Sequence, residues 1–158
     1  MASMDARTRL VIVSSVTFST GARTDLALLG AACRERGIVL LVDGAQSIGV
    51  LADDVERLKI DAYAASTQKG LLGLYGMGFL YCRREWAERL QPAYLSRFGV
   101  DLGDASEADL GNFEYRLAPG ARRFEPCSLE TPIGCSVESQ VRRRVMQCAD
   151  SPRQERSR

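Results

Sequence analysis

The sequence predicts an α/β fold, a mostly parallel sheet with helices on both faces. Short apolar or β-branched runs recur at 10–16, 38–42, 62–65 and 77–82. Apolar residues at helical spacing fill the interval between the first two runs. The first three runs stop abruptly at polar residues, beginning with Thr17, Asp43 and Ser66. Strands that end in this way describe a sheet whose strand ends form a site.

The first run, Leu10 to Val16, reads as a buried strand followed by the hydroxyl-rich Thr17-Phe18-Ser19-Thr20-Gly21. Thr24 is placed to cap a helix with Asp25 in its first turn. Leu26, Leu29, Ala32 and Cys33 then recur until Gly37 stops it. Strand, helix, strand is a βαβ unit, so Ile38–Val42 should lie parallel to the first strand through a right-handed crossover. A short helix is expected over Asp53–Leu58, and Asp61 leads into Ala62–Ala65. The connection 69–76 is too short for a crossover helix, which predicts an antiparallel strand over Met77–Cys82. The four strands should be neighbours in chain order, with both outer edges unpaired and prone to association. Arg83–Leu90 should be helical with Trp86 and Leu90 inward, 99–112 a surface loop, and 112–123 a short extended segment. Residues 1–140 read as one domain. Residues 141–158, with six arginines against two acids, read as a disordered tail.

At 158 residues the chain is long enough to bury a core. A net charge of +1 makes no case for nucleic acid or membrane binding. No apolar run approaches the ~20 residues of a membrane span. The first ten residues lack the apolar core of a signal peptide, so a cytoplasmic location is expected. Cysteines at 33, 82, 127, 135 and 148 form no C-x-x-C, and histidine is absent. These facts argue against a metal site and exclude Ser-His and Cys-His nucleophile pairs. Lysine occurs only at 59 and 69, whereas arginine supplies the other 19 of 21 basic residues. An amine can form an imine with an aldehyde and a guanidinium cannot.

Asp43 follows a strand, where a carboxylate could pair with a protonated pyridine nitrogen; alone, it is more often a turn cap. Gln46 could bond a ring phenol oxygen or sit solvated in the turn. Ser66 and Gln68 lie just before Lys69 and could offer donors to a phosphate. An acid and a lysine at neighbouring strand ends are the parts a pyridoxal phosphate (PLP) enzyme needs. The glycines at 70, 73, 76 and 78 satisfy neither dinucleotide nor P-loop patterns. Arg142–Arg144 reads as a solvated patch.

The combination Asp-x-x-Gln, Ser-x-x-Lys 26 positions from Asp43 to Lys69, and a glycine-rich loop into an apolar strand resembles the class V aminotransferase family. This fold type I PLP group includes cysteine desulfurases and isopenicillin-epimerase-like proteins. The matching segments are TRLVIVSSVTFSTGARTDL, LLVDGAQSIG, AASTQKGLLGLYGMGFLYCRR and RRFEPCSLETP, from Thr8 to Pro132. The resemblance implies a Lys69 aldimine, with Lys69 also moving the α-proton of an amino-acid substrate. It gives Asp43 the pyridine nitrogen, Gln46 the ring hydroxyl and Ser66 the phosphate, and puts Gln68 where desulfurases carry histidine. Ser128 matches a hydroxyl residue that reaches the other subunit's cofactor phosphate, which implies a homodimer.

Departures from the family pattern accompany these matches. Leu74 replaces a proline, Cys127 a glycine, and Phe18 an asparagine of the desulfurase branch. The resemblance stops after Gln140. The family's earlier strands and its small domain, with the arginine that grips the substrate carboxylate, have no counterpart here. The expectation is therefore a partial large domain with reduced or no activity. The alternative is a non-catalytic remnant or partner-binding module that keeps the sheet; a nucleotide-binding domain is more remote.

Overall fold

The structure, a computed structural model, describes residues 4–103 and 115–125. One compact unit extends to Leu80 and a second begins at Tyr81. The first holds β1 (Leu10–Ser14), α1 (Leu26–Glu35), β2 (Val39–Asp43) and β3 (Ala62–Ser66), with the start of β4 (Gly78–Cys82). The sheet order is β1-β2-β3-β4, as the sequence leads one to expect. Strands β1 and β2 pair in parallel, as do β2 and β3, with Ser14 opposite Asp43 and Asp43 opposite Ala64. Three strands therefore end together at one edge.

The core follows from the run between Ile38 and Tyr63. Leu40, Val42, Ile60 and Tyr63 are buried, and Ala32 and Cys33 of α1 are buried with them. Helix α1 starts one residue later than the sequence suggests. Asp25 is the cap, its Oδ1 accepting from the Leu28 amide at 3.0 Å. Thr24 instead donates its hydroxyl to the Ser14 carbonyl at 2.7 Å, tying the helix entrance to β1. Gly37, at φ +64°, ends the helix by taking a left-handed turn that costs a glycine little.

Two expectations need correction. The helix expected over Asp53–Leu58 is absent, and residues 55–59 form a turn. The Asp54 carboxylate accepts from the amides of Glu56 and Arg57, and Lys59 at φ +56° breaks any helical continuation. In the second unit, α2 (Arg84–Arg89) buries Ala87, while Leu90 lies past its end and is exposed. Beyond α2, β5 (Val100–Asp101) and β6 (Arg116–Leu117) pair antiparallel, which places the extended segment expected within 112–123. Buried Arg123 donates to the carbonyls of Ala118 and Glu88 at 3.1 Å each. The expected disordered tail, 141–158, lies outside the described residues, as does Ser128. No described helix is long and apolar enough to cross a membrane.

Candidate active site

The last residue of β2, Asp43, is held from both sides. Its carbonyl accepts from the Ser15 amide at 2.9 Å, with the Ser15 hydroxyl oxygen 3.2 Å away. The next amide, Gly44, donates to the Ala64 carbonyl at 2.8 Å. The carboxylate is exposed, with Oδ1 accepting from the Ala45 amide at 2.9 Å. This local bond sets the turn and leaves Oδ2 for a ligand. The turn closes as the Ser47 and Ile48 amides reach the Gly44 carbonyl, with half-buried Gln46 between.

The neighbouring strand end carries Ser66, Thr67, Gln68 and Lys69. Buried Thr67 donates to the Leu74 carbonyl at 2.9 Å, and its amide donates to the Met77 carbonyl. Its hydroxyl thus shapes the glycine-rich loop. Lys69 is exposed, its Nζ 5.5 Å from the centre of the Phe18 ring in the loop after β1. Such a cation–π contact at an exposed site is worth about 0.5–1 kcal/mol, enough to bias the amine toward this edge. Phe18 itself is 83% exposed.

A buried polar cluster lies beneath the Asp43 turn. Ser47 Oγ is 2.6 Å from Ser15 Oγ, 2.7 Å from the Tyr63 hydroxyl and 2.8 Å from Asp53 Oδ2. The Tyr63 hydroxyl donates to the same Asp53 oxygen at 2.9 Å. Burial pushes the Tyr63 phenol well above its ordinary value, so it stays a donor. Sequence reasoning missed this cluster. Its one visible signal was a tyrosine and two serines at the margins of otherwise apolar runs.

Of the residues singled out in the sequence, Asp43, Gln46, Ser66, Gln68 and Lys69 are thus on two adjacent, parallel strand ends and the segments that follow them. Ser128 lies outside the described residues. A parallel sheet with polar and charged residues gathered at adjoining strand ends is the plan of an α/β fold whose carboxyl edge can take a ligand.

Within that class the chain belongs to the family described as aminotransferase class-V, which residues 1–122 match. It is 36% identical over 125 residues to isopenicillin N epimerase of Streptomyces clavuligerus, covering 79% of this chain and 31% of the epimerase. A probable cysteine desulfurase of Methanothermobacter thermautotrophicus is 33% identical over 140 residues, covering 86% and 33%. Among solved structures, a cystine C–S lyase in complex with its product cysteine persulfide superposes with a TM-score of 0.76 at 30% identity, covering 91% of this chain and 37% of the lyase. A variant of the same lyase has glycine covalently linked to its PLP cofactor. The chain spans about a third of the length of these relatives. The family is PLP-dependent, as the sequence led us to expect.

The residues fit that cofactor. Gln68 Oε1 is buried without a hydrogen-bond partner among the described residues, so in either orientation its amide has a polar group to be completed by a ligand. Asp43 keeps a carboxylate oxygen, and Lys69 keeps an exposed amine.

Proposed function

We propose that this chain carries the cofactor cradle of a PLP-dependent class-V enzyme acting on an amino acid, with Lys69 as the amine that takes up the cofactor's aldehyde. One observation carries the reading: Lys69 and Asp43 leave adjacent parallel strand ends at one edge of the sheet. When bound, PLP supplies an electron-accepting ring that stabilises an amino acid's α-carbon after its proton is lost. The Asp43 carboxylate would pair with the protonated ring nitrogen, holding its charge. The Gln46 amide would meet the ring hydroxyl, and Ser66 and Gln68 would donate to the phosphate. Lys69 would move the proton at the α-carbon. Ser128 would reach the phosphate across a homodimer. The reaction class is transfer, elimination or epimerisation at that carbon. A cytoplasmic setting belongs to the same proposal.

The test is to mix purified chain with PLP, reduce with borohydride and map the adduct by peptide mass spectrometry. A label at Lys69 is expected, and its absence there would sink the proposal. Loss of the bound chromophore's absorbance on adding amino acids would indicate turnover; unchanged absorbance would indicate a module that holds the cofactor without chemistry.

A further inference from the structure

The hydroxyl cluster under the Asp43 turn has no part in the proposed chemistry, yet its hydrogen bonding is complete. Three hydroxyl protons, from Ser15, Ser47 and Tyr63, feed toward one carboxylate oxygen of Asp53. Apolar side chains could fill this volume, and buried hydroxyls are tolerated only when paired. A fully satisfied network of this kind specifies one geometry. Here that geometry is the height of the turn. The Ser15 amide donates to the Asp43 carbonyl at 2.9 Å, and Ser47 Oγ lies 3.3 Å from the Gly44 carbonyl. The Tyr63 ring passes directly under Gly44, where a Cβ would come within 2.0 Å of it. Side chains from positions 15, 47, 53 and 63 thus converge on the backbone that carries Asp43.

We propose that Tyr63, Ser47, Ser15 and Asp53 are positioning residues that fix the Asp43 carboxylate where it meets the cofactor ring; this rests on the reading of the site given above. They touch neither cofactor nor substrate, and act through the turn. Loss of one member lets the turn rise or tilt, so the ring is held less tightly and in less defined orientation.

The test compares the wild-type chain with Tyr63→Phe and the isosteric Asp53→Asn, each shown to be folded by far-ultraviolet circular dichroism. PLP affinity is read by titration, and ring orientation by the visible circular dichroism of the bound chromophore. Each variant should bind PLP about three- to tenfold more weakly, the equivalent of one lost hydrogen bond, with a reduced visible dichroic band that resembles that of Asp43→Ala. If either variant folds, melts lower, and still shows wild-type affinity and band, the cluster is structural only and the inference is overturned. A wild-type chain that takes up no PLP overturns the proposed function itself, and this inference with it.

Discussion

Gly49 and Gly70 meet backbone against backbone: a Cβ at Gly49 would lie 2.5 Å from the Gly70 carbonyl oxygen, and one at Gly70 would lie 2.2 Å from that of Ile48. This contact locks the turn that carries Gln46 to the loop that follows Lys69. Gly70→Ala should therefore destabilise the protein by about 1–3 kcal/mol, the usual cost of overpacking, and lower the yield of reduced PLP adduct at Lys69. Urea unfolding and peptide mapping read the two effects. Unchanged stability would mean that the two glycines are not in contact.

The proposed site gives Asp43 two separable roles: its Oδ1 accepts from the Ala45 amide and sets the turn, and its charge would pair with the cofactor's ring nitrogen. Asp43→Asn keeps an Oδ1 acceptor for the Ala45 amide, so stability should stay within about 0.5 kcal/mol, as for surface changes that break no special feature. PLP affinity should fall by roughly 10- to 100-fold, the range for a lost charge-assisted bond. Asp43→Ala should lose both. Calorimetry of the free chain and a PLP titration distinguish the roles; equal affinity for wild type and Asn would remove Asp43 from the site.

The strand ends were legible because a buried parallel strand must be apolar until it leaves the sheet, so Asp43 and Ser66 mark its limits without any tertiary knowledge. Lys69 stands out by chemistry, as one of only two amines on side chains, and its position just past β3 follows from the same strand pattern. The polar cluster was not legible. Its members at 15, 47, 53 and 63 are joined by bonds across 6 to 32 positions, and local periodicity carries no such information. Asp53 was read as the start of a helix for the same reason: local propensity favoured a turn of helix, while bonds from Ser47 and Tyr63 hold the residue in place. The helix cap was misplaced by one residue because Thr24 and Asp25 are both good caps, and only the β1 carbonyl decides between them.

Asp61 joins β2 to the entrance of β3. Its Oδ2 accepts from the Leu40 amide at 3.0 Å, its own amide donates to the Leu40 carbonyl, and Arg34 approaches its other oxygen at 3.5 Å. Leu40 is fully buried, so without this acceptor its amide has no water to turn to. Asp61→Ala should cost about 1–3 kcal/mol, whereas Arg34→Ala, at a partner whose side chain is 42% exposed, should cost less than about 1 kcal/mol. Equal losses in chemical denaturation would show that the ion pair, rather than the backbone bond, carries the residue's contribution.

Tyr63 makes the protein lose stability as pH rises into the alkaline range. Burial raises its phenol above the ordinary value of 10.0, so the folded protein keeps the proton after the unfolded chain has released it. The stabilisation is therefore complete below pH 10 and is lost as pH rises from there toward the higher folded value. In that window stability should fall by about 1.4 kcal/mol per pH unit for this one proton. Cys33, whose thiol is also raised by burial, adds the same sign, but equally in wild type and Tyr63→Phe, so it cancels in a comparison. Tyr63→Phe should be less stable at neutral pH, having lost its bonds to Ser47 and Asp53, and should show a flatter alkaline profile. The two unfolding free energies should then converge between pH 10 and about 12. Parallel curves over that range would show that Tyr63 releases its proton as readily when folded as when unfolded.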